Sequence, residues 1–355
     1  MLACISIEAP PRNGSDTVKT VRATRDFHPA ERRAAKSPKA KSSTRRAQLL
    51  IPESGDVELR AGGKDLSLTN LHKKFWPELG LTKGDLLRYY QAIAPVLLPH
   101  LRERAMVMKR YPNGAAGEFF FMKRAPKPRP EWIEICSIAH GSGNIIDFPI
   151  VQDIMSLLWI VNLGCIDLNP WYARCDDFDR PDFLHFDLDP VPPAKFAQVR
   201  ETALILRETL TQFGMRSYPK TTGSKGIHVY VPIVRGPTQK QVWKVAKSLA
   251  QTLAAAHPKL ITAEYRIARR PAGRILVDYN QNAWGRTLAS VYSVRPRPLA
   301  TVSSPVTWEE IEQGIEIDDF RMDNMPARID EVRDLWKPLL AARGRFRLEK
   351  LLHAS

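Results

Sequence analysis

At 355 residues and 44% apolar content, the chain can bury a full core, in one large domain or two fused lobes. No apolar run reaches the roughly 20 residues of a membrane span, and the first residues lack the charged-then-apolar pattern of a secretory signal, so a cytoplasmic protein without membrane contact is expected. The net charge of +15 points to a polyanionic partner, nucleic acid first, because lysines and arginines gain affinity by releasing phosphate counterions.

Residues 1–55 are rich in Lys, Arg, Pro, Ser and Ala and read as a disordered basic arm. The arm holds eleven of the 53 Lys and Arg, so part of the charge signal belongs to it and not to the folded body. The body is expected over 56–345, followed by a tail at 346–355. A short strand-like stretch begins near Leu59. Thr82, with Asp85 three residues on, caps a helix through DLLRYYQAIAPVLLPHL. Strands are predicted at Met106–Tyr111 and Glu118–Met122, around the turn Pro112-Asn113-Gly114. The nearly all-apolar segment at about 151–163 predicts a buried helix.

Further along, Phe183–Asp189 reads as a strand stopped by the prolines at 190, 192 and 193. An amphipathic helix is expected at about 194–212, ending at Gly214, then a strand-loop-strand unit from Lys220 to Ile233 and a helix after Thr238. Another strand is expected at 274–279, and one or two helices over the last fifty residues, which include the acidic stretch Glu309–Asp319. Strands alternating with helices predict an α/β or α+β body. The four cysteines (Cys4, Cys136, Cys165, Cys175) are scattered without a CxxC pair, so reduced thiols are expected, with neither a disulfide framework nor a structural zinc site.

In FLHFDLDP the side chains alternate, placing His185, Asp187 and Asp189 on one face, with the two aspartate backbones about 7 Å apart. His185 is expected to be a packing residue. Carboxylates that close repel each other unless a cation lies between them. Hard oxygen ligands suit Mg2+ or Mn2+, which bind through few carboxylates plus substrate phosphates. Asp278 ends the apolar run ILVD, a second plausible central strand, and could complete a two-metal set. About thirty residues after the pair comes Lys220-Thr-Thr-Gly-Ser-Lys-Gly-Ile-His228, whose glycines, hydroxyls and amides suit a phosphate cradle, although the Walker spacing is absent. A plain polar hairpin is the alternative for this loop.

DLDP, TGSKGIH and VDYNQN, in this order and spacing, resemble the polymerase domain of the bacterial end-joining ligase D, of the archaeo-eukaryotic primase superfamily. LTNLHKKFWPELGLTKGDLLRYY, KRYPNG with the following FFF, NLGCIDLNPW and VYSVRPRP extend the resemblance over about 60–340. It implies an α+β fold: a palm-like core of mixed or antiparallel sheets flanked by helices. It also implies that Asp187, Asp189 and Asp278 hold two divalent ions, Mn2+ or Mg2+, around a nucleoside triphosphate. Thr222, Ser224, Lys225, Gly226 and His228 would bind or order the triphosphate, with Lys109, Gln281 and Arg295 as further nucleotide contacts. Phe120 and Phe121 would stack on a base, or pack in the core as the bland alternative. Lys73 and Lys83 would hold the 5′-phosphate of a gap or broken end, or be plain solvated charges. Arg269 or Arg270 would contact phosphates of the metal site or DNA. Asn169 stands where the family commonly has a His that contacts the nucleotide near its sugar. An amide cannot be protonated, so weaker discrimination against deoxynucleotides is predicted for an enzyme otherwise expected to add ribonucleotides.

The function so implied is template-directed nucleotide addition to 3′ ends at DNA gaps or double-strand breaks, by a bacterial, nucleoid-associated monomer. The expected partners are DNA with gaps, breaks or 3′ overhangs, then Ku and a separate DNA ligase, since no KxDG ligase motif occurs in the sequence. Two rival readings are a haloacid-dehalogenase-like phosphatase or phosphotransferase, with Asp187 as nucleophile, and a non-catalytic DNA-binding module of the same fold.

Overall fold

The computed structural model describes residues 50–53, 55–141 and 143–352, so the expected disorder of the basic arm lies almost wholly outside the described residues. A hairpin, β1 (Val57–Ala61) and β2 (Lys64–Leu68), leads into the short pair β3 (Lys74–Trp76) and β4 (Leu81–Thr82). Next comes α1 (Lys83–Leu101), capped as its sequence predicts: Thr82 Oγ1 accepts from Asp85 N at 3.2 Å and the Asp85 carboxylate accepts from Thr82 N at 2.7 Å. β5 (Met106–Arg110), β6 (Phe120–Met122) and the hairpin β7 (Ile135–Ala139) and β8 (Ile145–Pro149) precede α2 (Ile154–Asn162), whose apolar sequence is buried. β9 (Cys165–Pro170), β10 (Ala173–Arg174) and β11 (Asp177–Pro181) follow.

The part that carries the chemistry begins with β12 (Phe183–Pro190) and continues with α3 (Phe196–Gln212), β13 (Tyr218–Thr221), β14 (Ile227–Pro232), α4 (Gln239–Ala256), β15 (Ile261–Thr262) and β16 (Ile275–Asp278). These strands form one sheet in the order β13-β14-β12-β16-β15, antiparallel except for the β15–β16 edge. Helices α3 and α4 pack against it. Leu184, Phe186 and Leu188 alternate into the core with no exposure, which makes β12 a rigid central strand. A second, three-stranded antiparallel sheet has the order β6-β5-β9. The architecture is α+β, as the sequence implies.

Two expectations are corrected here. Among the described residues the last fifty hold four short α-helices, α5 (Trp308–Gln313), α6 (Met325–Val332), α7 (Lys337–Leu340) and α8 (Glu349–Leu352), because Gly314, Pro326, Pro338 and Gly344 punctuate the segment. The acidic stretch there is partnered by α3, as in the Arg207–Glu312 pair at 2.7 Å. Cys136 on β7 and Cys175 beside β10 form a disulfide, with Cα atoms 5.8 Å apart, where reduced thiols are expected. The folded hairpins bring together two cysteines 39 residues apart, beside a small second core that includes Ile138, Phe148 and Trp171. Cys165 is free and buried, and Cys4 lies outside the described residues. Among the described residues no helix is long and apolar enough to cross a membrane.

Candidate active site

The two sheets face each other across a cavity of about 410 Å³. Its walls come from β5 and β6 (Val107, Lys109, Phe121), from β9 (Asp167, Asn169), and from β12 and β14 (Asp187, Asp189, His228). The loop residues Thr222, Ser224 and Lys225, then Gln281 and Arg295, complete the set that the sequence nominates.

The carboxylates sit where the strand pairing puts them. Asp187 is the cross-strand partner of both His228 on β14 and Asp278 on β16, and His228 is in turn opposite Lys220 on β13. Lys220, His228, Asp187 and Asp278 therefore form one row across four strands. Burial first, then repulsion from Asp278, pushes the Asp187 carboxyl up to about 7. Burial first, then Asp187, pushes Asp189 up to about 7, and Lys225 and Arg270 act in the opposite direction. Asp187 Oδ1 is buried and lacks an aligned hydrogen-bond partner, although His228 Nε2 lies 3.2 Å away. Two carboxylates that resist ionisation side by side call for a cation. Asp278 is half-buried and outside the cavity wall, its oxygens accepting from Asn280 N at 2.8 Å and from Gln281 Nε2 at 3.2 Å. Among the described residues no three His, Cys, Asp or Glu side chains converge tightly enough to enclose a metal. The donor set thus fits Mg2+ or Mn2+ held by few carboxylates with phosphate oxygens completing the shell, and does not fit an all-protein cage.

His228 is fully ordered by its neighbour. Lys220, with no exposure, brings Nζ to 2.7 Å from His228 Nδ1 and 3.0 Å from the Ala289 carbonyl, and contacts Ser303 Oγ. Burial, then the nearby Lys220, holds the imidazole well below its ordinary pKa, so the ring is neutral. Where Nδ1 accepts from Lys220, the ring proton falls on Nε2, the nitrogen that faces Asp187 and the cavity. His185, on the same strand face, is instead packed against Tyr172 with ring centroids 3.9 Å apart, as a packing residue but with both ring nitrogens lacking a partner.

In the phosphate loop, the Thr222 hydroxyl accepts from the backbone N–H groups of Ser224, Lys225 and Gly226 at 3.1, 3.2 and 3.1 Å. It therefore organises the loop from inside. Gly226 is required by contact, since a Cβ there would meet the Leu188 carbonyl oxygen at 2.1 Å. Gly223 has φ +63° and a Cβ there would meet Arg295 Cγ at 2.7 Å. Lys225 reaches Asp189 at 3.7 Å and stays half in solvent.

The remaining nominated residues lie at the rim or beyond it. Phe119, Phe120 and Phe121 are all exposed, which overturns core packing as their alternative. Phe121 faces the cavity, whereas Phe120 lies under the Arg110 guanidinium on the other side of β6. Asn169 is buried, its Nδ2 donating to the Asp167 carbonyl at 3.1 Å. Lys73 is half-buried and donates to Asn113 Oδ1 at 3.2 Å. Lys83 is buried, its Nζ donating to the Thr69 carbonyl at 2.7 Å, and burial lowers its pKa to about 8. It is therefore not the plain solvated charge of the bland reading. Arg270 acts electrostatically on Asp189, lowering its carboxyl pKa against the effect of burial. The sequence reading missed Asp167, Lys123, Arg286 and Thr287, which also line the cavity, and Lys220 behind it. Only the position of Asp167 in the NLGCIDLNPW segment offered a signal.

Residues 82–336 match the family model described as LigD, primase-polymerase domain. The multifunctional non-homologous end joining protein LigD of Mycolicibacterium smegmatis is 36% identical over 274 residues, covering 77% of this chain and 36% of that protein. The bifunctional non-homologous end joining protein LigD of Bacillus subtilis is 31% identical over 265 residues, covering 74% of this chain and 42% of that protein. The chain thus spans roughly two-fifths or less of the curated relatives it matches. The solved polymerase domain from Mycobacterium tuberculosis Ligase D, in complex with DNA, superposes with a TM-score of 0.73 at 31% identity, covering 78% of this chain and 98% of that one. The match spans the whole carboxylate and loop region, which overturns the dehalogenase-type reading. The chain belongs to the LigD primase-polymerase domain family, a family of DNA and RNA nucleotidyltransferases.

Proposed function

We propose that this cavity binds a nucleoside triphosphate and adds its nucleotide to the 3′ end of a templated DNA strand at gaps or breaks. The observation that carries the reading is the pair of buried Asp187 and half-buried Asp189 on one strand face, both resisting ionisation, with the Thr222–Gly226 loop clamped beside them. Two Mg2+ or Mn2+ ions held by Asp187, Asp189 and Asp278 would offset phosphate charge and activate the attacking hydroxyl. Lys225, Lys109 and Arg295 supply positive charge to the triphosphate, and the Nε2–H of His228 can donate to a phosphate oxygen. Phe121 offers an aromatic face to a base without reading its identity. The Asn169 amide, with Nδ2 engaged inside, would lie near the sugar, where its oxygen could accept from a 2′-hydroxyl. Lys73, beside the buried Lys83, would meet a 5′-phosphate across a gap; that the solved relative is in complex with DNA supports a DNA-bound role for the fold.

A gapped duplex with Mn2+, offered ribo- and deoxynucleoside triphosphates separately, tests this. Addition directed by the template base is expected, with modest sugar discrimination and tighter binding when the downstream 5′ end is phosphorylated. No addition with either metal would overturn the reading. Equal affinity for phosphorylated and unphosphorylated gaps would remove Lys73 and Lys83 from it. Ku and a separate ligase are the protein partners that this role calls for.

A further inference from the structure

We propose that Asp167 is a positioning residue for the nucleotide, holding Lys109 and Arg295 at fixed points of the cavity; this rests on the cavity being the nucleoside-triphosphate site. Asp167 lies on β9 directly opposite Lys109 on β5, and is 2% exposed. Its Oδ2 is 3.4 Å from Lys109 Nζ and its Oδ1 is 3.2 Å from Arg295 Nε. The second contact is one of charge more than direction, since neither Oδ1 nor Nε has an aligned hydrogen-bond partner.

A buried carboxylate in the wall of an anion site opposes the ligand, so its presence needs another reason. Without it, Lys109 and Arg295 would face each other as like charges and lean away into solvent. With it, each cation keeps donors for phosphate while its position is set from behind. Each cation also has a second hold. Arg295 Nη1 donates to the Thr222 carbonyl at 2.7 Å, and Lys109 Nζ lies 4.0 Å from the Phe119 ring centroid. Asp167 is thus the joint between the aromatic face of one sheet and the phosphate loop of the other. Its effect runs through the two cations, with no contact to the reacting atoms.

ATP affinity of the full chain with Mn2+, measured by calorimetric titration beside the rate of nucleotide addition, tests the assignment. Asp167→Asn is expected to weaken ATP binding about tenfold and to change the maximal rate by less than about threefold. In a Lys109→Met background the same substitution should cost only about threefold in affinity, because part of what Asp167 holds is already gone. Asp167→Glu keeps the charge but shifts it by one methylene, and should weaken ATP binding about threefold even if the Asn variant does not fold. Unchanged or tighter ATP binding in Asp167→Asn or Asp167→Glu overturns the proposal, as does an equal loss in both backgrounds. A wild-type chain that binds ATP without adding nucleotides would overturn the polymerase reading while leaving these affinities to decide on Asp167.

Discussion

The two walls of the cavity are built on opposite principles. On one side, buried Asp187 and His228 and half-buried Asp189 stand on central strands, held by cross-strand partners and a glycine-tight loop. On the other, Phe121 stands on the three-residue edge strand β6 with Phe119 just before it, both half or more in solvent. The first wall is pre-set, at a cost in desolvated charge, where atoms must meet within fractions of an ångström. The second leaves apolar area uncovered, which suits a partner whose bases vary. On the proposed function, position separates chemistry from recognition.

The sharpest way to break that contrast is Asp187→Ala. Nucleotide addition should fall about a thousandfold or more, with DNA affinity in a gel-shift assay nearly unchanged. Retained extension would mean the carboxylate wall does no chemistry. Gly226→Ala comes next. A Cβ facing the Leu188 carbonyl oxygen at 2.1 Å must push loop and strand apart, and about 1–3 kcal/mol of stability should be lost in urea unfolding. Nucleotide affinity should fall with it; a variant as stable as wild type would show that the loop is free to move.

The charge cost of the carboxylate wall has a pH signature. The folded-state pKa of Asp187 is raised to about 7 from an ordinary 3.8, so without metal the folded protein holds a proton that the unfolded chain has released. Its contribution favours folding at low pH and is lost as pH rises from about 4 through 7. In EDTA, Asp187→Asn should therefore gain stability relative to wild type between pH 5 and pH 8, on the order of 2 kcal/mol. A pH-independent difference would contradict the burial argument. The smallest effect belongs to the aromatic wall: Phe121→Ala should weaken single-stranded template binding about tenfold, with the melting temperature unmoved. A large drop in melting temperature would instead make Phe121 part of the core.

Much of this site was legible before any fold was known, because strand alternation alone puts Asp187 and Asp189 on one face, and the order DLDP, TGSKGIH, VDYNQN carries the rest. Lys220 and Asp167 were not legible. Each acquires its role from a neighbour on another strand or in a distant loop, Lys220 through Ser303 and Ala289, Asp167 through Arg295. Such pairings depend on register, which no local pattern encodes. The Cys136–Cys175 pair was missed for the same reason, since hairpin folding and not spacing brings it together. Alternation of elements left α/β and α+β open and the resemblance selected α+β, whereas the late helices are separate because Pro326 and Pro338 open new first turns, which local periodicity does not weigh.

The row Lys220, His228, Asp187, Asp278 carries a consequence for how this sequence can change over time. Side chains along these strands can be exchanged one at a time and the row survives. A single inserted or deleted residue between Thr222 and Gly226 is different in kind. It would slip β14 by one place, turn His228 to the opposite face and offer Asp187 a neighbour of the wrong chemistry. Length, more than composition, is what natural or directed variation of that loop must preserve.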